Sequence, residues 1–143
     1  MRHVRATVLL SVFLRWRVVV SLSALGLAAC APEIVRQPTQ LTLLTEQPGG
    51  TIEILEDASV SVGPGYRRVI SRGSVWMRIG RSVEGEVYKP VDRVFTVEGA
   101  HIHEAYLVLV GDRVVGFYLP VERAFSPAPD GPGTQLSIRR RQP

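Results

Sequence analysis

Only one cysteine occurs in the chain, at position 30. An intramolecular disulfide framework is thereby excluded, and so is a metal centre built from clustered thiolates. Acidic residues are missing from positions 1–29, where Arg2, Arg5, Arg15 and Arg17 nevertheless lie. Taking these four from the seventeen Lys and Arg leaves thirteen, equal to the thirteen Asp and Glu, all of which follow Cys30. The pI near 9.8 of the whole chain therefore belongs to its start, and no excess of positive charge remains for a nucleic-acid backbone. No nucleic-acid partner is expected. An uninterrupted apolar run of membrane-spanning length is lacking too. Residues 18–29 are uncharged and mostly apolar, but as a helix they would reach only about 18 Å against a hydrocarbon core of roughly 30 Å.

Basic residues, then a short apolar run, then small side chains make the three-part layout of an export signal. The run ends Leu27-Ala28-Ala29-Cys30, which resembles the lipobox of bacterial lipoproteins. The resemblance covers residues 1–30 and implies that the Cys30 sulfur carries a diacylglyceryl group, that a dedicated peptidase recognises Leu27, Ala28 and Ala29 and cuts before Cys30, and that the new amino terminus is acylated. A thiolate suits the lipid transfer because it is a good nucleophile, and two or more acyl chains suffice for durable anchoring. Ala31 rather than Asp follows the cysteine, resembling lipoproteins that are sent to the outer membrane and face the periplasm. Two alternatives are an uncleaved transmembrane helix and a secretory signal beside an incidental cysteine. The first would place Arg15 and Arg17 inside the bilayer at about 2.5–3.5 kcal/mol each.

Four segments are expected: a lipoprotein signal peptide over 1–29, a lipidated tether over 30–40 with Pro32 and Pro38, a β-rich domain over 41–125, and a flexible Pro/Gly-rich tail over 126–143. The domain holds fourteen valines and four alanines, a composition that favours strands over helices, and no stretch keeps a helical period. Strands are expected at 51–55, 66–70, 74–79, 83–88, 93–97, 104–110 and 114–119. In the third, alternation places Val75, Met77 and Ile79 on the buried face and Trp76 and Arg78 on the other. Apolar runs flank Gly111-Asp112, a pair suited to a two-residue hairpin turn with glycine at the φ > 0 position. The expected fold class is all-β: a small antiparallel barrel or sandwich with a central hairpin near 104–119.

His101-Ile102-His103-Glu104 is the constellation nearest to a metal site. On a strand the two imidazoles would share a face with Glu104 opposite. Two imidazoles fall short of the three or four ligands that zinc requires, and the simpler reading places His101 and His103 on a polar strand edge or within a turn. Arg67, Arg68, Arg72, Arg78 and Arg81 form a basic stretch, followed by an acidic one with Glu84, Glu86, Asp92, Glu98 and Glu104. Such arginines could grip anionic wall or lipid polymers, or the two stretches could pair across neighbouring strands. Trp76, Tyr88 and Tyr106 could form a binding surface or belong to the core. Gly63-Pro64-Gly65 reads as a turn, and Ser71, Ser74 and Ser82 stand at no nucleophile elbow.

No catalytic residue and no cofactor beyond the covalent lipid on Cys30 is expected. The exported domain resembles the uncharacterised small lipoproteins of bacterial envelopes, a resemblance that carries no site residue beyond Cys30. It implies a membrane-anchored, non-enzymatic binding or structural module that contacts the membrane through its lipid and an envelope protein or an anionic polymer through its surface. The alternative is a metal-assisted enzyme or metal-binding protein that uses His101 and His103.

Overall fold

A computed structural model describes residues 33–45, 49–63, 65–129, 131 and 133–142. The expected signal segment, with Leu27, Ala28, Ala29 and Cys30, lies outside them. Among the described residues there is no helix, and 57% are in strands. In chain order these are β1 Gln37–Pro38, β2 Thr42–Leu43, β3 Thr51–Ile54, β4 Ala58–Gly63, β5 Tyr66–Ile70, β6 Val75–Arg81 and β7 Glu86–Pro90. There follow β8 Thr96–Glu98, β9 Ile102–Glu104, β10 Tyr106–Val110, β11 Arg113–Leu119, β12 Ala124–Pro127, β13 Thr134–Gln135 and β14 Ile138–Arg141. The all-β class is thus what the structure has, with every ladder antiparallel.

The main sheet runs β1-β12-β11-β10-β7-β6-β3-β14, with β13 added beside β11 and β2 beside β6. Two hairpins, β4-β5 and β8-β9, form small separate sheets. The sheets do not close into a barrel, and the arrangement is sandwich-like. Between the main sheet and the hairpins lies the larger core, with Ile52, Ile54, Trp76, Leu107, Leu109 and Phe117 from the sheet meeting Val60, Val62, Ile70 and Val97 from the hairpins. Each such side chain contributes about 1.5–3 kcal/mol on leaving water. Phe95 ties them together, edge-on to Trp76 at 5.4 Å between centroids and stacked on Phe117 at 6.0 Å. A second cluster of Val87, Tyr106, Val108, Tyr118 and Phe125 covers the opposite face. Strand alternation sorts Leu107 and Leu109 from Tyr106 and Val108 in this way.

The expected hairpin is central. β10 and β11 pair from Tyr106↔Tyr118 to Val110↔Arg113, and Gly111 takes φ 60° at the turn. One feature of it was not visible in the alternation: the register shifts between Val108 and Leu109, leaving Val115 as an extra residue on β11. That bulge reverses which residues face which side, so Val114 joins the larger core while Val115 packs on the second cluster.

In β6 the inner face is the opposite of the one expected. Trp76, expected outside, is 1% exposed in the larger core, and a second bulge, between Arg78 and Gly80 in the ladder with β7, changes the faces only beyond Ile79. Val75, Met77 and Ile79, expected to be the buried face, are only half-buried, and Ile79 serves the second cluster. Trp76 has the largest apolar area to hide, and its Nε1 donates to Ser74 Oγ at 3.1 Å, so burial leaves no indole donor unmet.

Other boundaries move. The strand expected at 83–88 starts at Glu86, because residues 82–85 make the β6-β7 turn, closed by Ser82 N donating to Gly85 O, and Val83 is 93% exposed there. The strand expected at 104–110 is interrupted at Ala105, whose N donates to Phe95 O. β4 was not expected, since three of its six residues are Ala or Ser.

The largest difference concerns both ends of the domain. The tether expected over 30–40 is not all tether: Ile34 is 3% exposed within the larger core, and β1 pairs with β12 through Gln37↔Phe125 and Pro38↔Ala124. From there the chain continues to β2 on β6, and Leu41 packs on the second cluster. The tail expected over 126–143 is built into the sheet. β13 pairs with β11, β14 pairs with β3, and Leu136 between them is buried in the larger core. Residues 134–141 therefore run from the stretch of β11 that β12 leaves uncovered to the β3 edge of the main sheet. Glycines and prolines mark this segment as irregular, but an open sheet edge offers unpaired backbone groups, and pairing with it overrides weak local propensity.

Candidate functional site

β9 is held to β8 by Thr96↔Glu104, Val97↔His103 and Glu98↔Ile102. His101 stands before it in a turn where Gly99 N donates to His101 O at 3.0 Å. The imidazoles of His101 and His103 lie 6.4 Å apart between centroids, nearly perpendicular. Their environments differ. His101 is exposed, whereas His103 is 8% exposed and its Nδ1 meets Glu122 Oε1. Glu122 belongs to the β11-β12 turn, 19 residues away. The other oxygen of Glu122 is buried without a hydrogen-bond partner among the described residues. The same turn holds Arg123 at φ 51°, a left-handed conformation uncommon outside glycine, and Arg123 O accepts from Thr39 N at 3.3 Å. His103 and Glu122 thus fasten the turn to β9 from one side while residues 37–39 hold it from the other. Glu104 acts on the Tyr106 hydroxyl, whose pKa its charge helps to raise. Among the described residues no group of three or more His, Cys, Asp or Glu is arranged to hold a metal ion.

The basic and acidic stretches meet across strands. Arg68 donates to Thr96 O at 3.1 Å and to Thr96 Oγ1 at 2.6 Å, and its Nη1 lies 3.3 Å from Glu98. Arg78 donates to Glu86 at 2.7 Å. Both pairs are about a third or more exposed, so each stabilises the fold by little. Arg72 contributes its backbone, whose N–H donates to Asp57 at 2.6 Å, and Arg81 lies exposed opposite Glu86 in the β6-β7 ladder.

A network that no sequence spacing announced extends from Arg78. Glu86 also accepts from the Tyr88 hydroxyl at 3.0 Å, that hydroxyl accepts from Arg140 Nη1 at 3.0 Å, and Arg140 Nη2 donates to Asp112 at 2.6 Å and to Gly111 O at 2.8 Å. Arg139 and Arg141 both donate to Glu53 across the β3-β14 ladder. Burial, with the Glu86 charge second, pushes the Tyr88 hydroxyl above its usual value near 10, and Arg140 opposes the shift. Burial and then Glu104 push Tyr106 the same way. The network ties β6, β7, the β10-β11 turn and β14 together at one rim of the larger core.

The three aromatics do not share a surface. Trp76 and Tyr88 belong to the larger core and Tyr106 to the opposite face, where Lys89 Nζ lies 5.7 Å from its ring centre. Ser74 is buried and donates to Ser71 O, and the buried Ser82 hydroxyl has no hydrogen-bond partner among the described residues. Neither lies in a contact with a histidine given by the structure. Sequence reasoning passed over Glu122 and Arg140. For Arg140 a signal existed in the alternation of Leu136 and Ile138; for Glu122 none did.

No protein-family model, curated protein or solved structure matches this chain.

Proposed function

We propose that this chain is a lipoprotein of the bacterial envelope, cut before Cys30 and anchored by lipid on that cysteine in the outer membrane, facing the periplasm. Its β domain serves as a non-enzymatic binding or structural module, whose partner is an envelope protein or an anionic wall or lipid polymer. One observation carries the reading: Leu27-Ala28-Ala29-Cys30 closes a basic-then-apolar segment in a chain with no other cysteine. The fold is compatible with it, because a cut before Cys30 would leave every described strand, β1 to β14, intact. The paired charges also favour a scaffold over a catalyst, since Arg68, Arg78, Glu86 and Glu98 are engaged with one another.

The test is intact-mass analysis of the mature protein with membrane fractionation. The parent should carry the mass of a diacylglyceryl group and an amide-linked acyl chain on Cys30. Cys30→Ser should lose that mass and leave the membrane fraction. A serine variant processed and sedimenting like the parent would refute the anchor.

A further inference from the structure

We infer that the end of the domain carrying Ile34 rests directly on the headgroups of the membrane to which the protein is anchored, with Val35 and Ile102 as its apolar contacts. The inference depends on the lipid anchor at Cys30 and concerns the surface that the anchor brings to the bilayer. Ile34 is fixed: it is 3% exposed, and three residues later the backbone enters the β1-β12 ladder. Four residues of chain reach at most about 14 Å. A domain of this length has a radius of gyration of about 13 Å, and the headgroup layer on one side of a bilayer is roughly 5–8 Å thick. Ile34 is therefore held within about 6–9 Å of the headgroups, less than the domain's own radius of gyration.

The surroundings of Ile34 are defined. A methyl on Gly63 would stand 3.1 Å from Ile34 Cγ2 and 3.8 Å from Glu98 O, so Ile34, the β4-β5 turn and β8 come together. Ile102 is the ladder partner of Glu98 and is 73% exposed, and Val35, next to Ile34, is 56% exposed. Branched aliphatic side chains left in water beside a membrane anchor gain by entering the interface, as any apolar area does on leaving water. Glu33 and Arg36 form an ion pair beside them, and Arg68 with Glu98 forms another, so local charge is balanced and does not repel the surface. β4 then leads away from Gly63 towards Ser59, whose carbonyl accepts from Thr134, and Leu136 N donates to Asp112 O. The β10-β11 turn and β14 consequently face the periplasm, where a partner would meet them.

The experiment uses the full lipidated protein, purified from membranes, mass-checked and placed in phosphatidylcholine vesicles containing a headgroup-spin-labelled lipid. A thiol-reactive fluorophore is attached through Val35→Cys, Ile102→Cys or Val110→Cys, since the Cys30 sulfur is blocked by lipid. Most of the emission should be quenched at positions 35 and 102 and little at 110. A Gly/Ser spacer of about twenty residues between Pro32 and Glu33, with a root-mean-square reach of about 25 Å, should abolish the difference while keeping the lipid mass. Equal quenching at all three positions of the lipidated protein would overturn the orientation and leave the anchor standing. Absence of lipid mass would overturn the anchor and the orientation with it.

Discussion

Removing one side chain from the segment 126–143 distinguishes an integral strand from a loose tail. Leu136 is 3% exposed within the larger core, between β13 and β14. Truncating a buried leucine to alanine costs 2–5 kcal/mol depending on how far the site collapses. Leu136 lies between two short strands at the sheet margin, where relaxation is easier than at Leu107, so Leu136→Ala should cost about 2–3 kcal/mol. With a urea slope near 1.5 kcal/mol/M for a domain of this size, the unfolding midpoint should fall by roughly 1–2 M with the slope unchanged. The thermal midpoint should drop by about 8–15 °C. Residues 31–143, which form one compact unit, suit the measurement by circular dichroism, with Gln135→Ala as the control. Gln135 is exposed and pairs with Arg113 through its backbone, so its truncation should stay within about 0.5 kcal/mol. If Leu136→Ala were as mild as Gln135→Ala, the segment would not be packed and the role of residues 134–141 in joining β11 to β3 would be wrong.

Two further outcomes follow from buried polar contacts. Glu122→Ala leaves the buried His103 Nδ1 without its partner, which should destabilise the domain by about 1–3 kcal/mol; His101→Ala, on an exposed side chain, should change the same denaturation curve little, and equal effects would contradict the separate environments of the two histidines. Alkaline pH should also weaken the fold. The folded values of Tyr88 and Tyr106 are raised above the usual 10 by burial and a neighbouring carboxylate, so above pH 10 the unfolded chain binds fewer protons than the native one and stability falls as pH rises. A Tyr88→Phe, Tyr106→Phe double variant should show a shallower loss of thermal midpoint between pH 9 and pH 11, and a loss as steep as the parent's would refute the linkage.

Much of the fold was legible because its signals are local. Valine-rich alternation and recurrent turn residues specify strands, and Gly111-Asp112 between apolar runs marked the central hairpin at the correct turn. Exceptions arise where one extra residue changes parity. At Ile79 and Val115 a bulge flips the faces; at Trp76 the alternation is regular, but alternation does not say which of two mixed faces is inner, and the indole is central to the core. The candidate site was legible only in its histidines. Glu122 comes from a turn remote in sequence, and Arg140 from a segment whose glycines and prolines suggested no structure.

What the sequence determined by itself was the class of the domain, its antiparallel hairpins, and the expectation of a lipid on Cys30, because each depends on residues that are neighbours in the chain. The tertiary structure alone decided where the domain ends, which face of β6 is inside, and which charges meet. Those outcomes depend on open sheet edges that accept distant strands and on a core that admits Ile34 and Leu136, about a hundred residues apart in the chain. Burial and backbone pairing at long range outweighed the local preferences of residues 33–40 and 126–142.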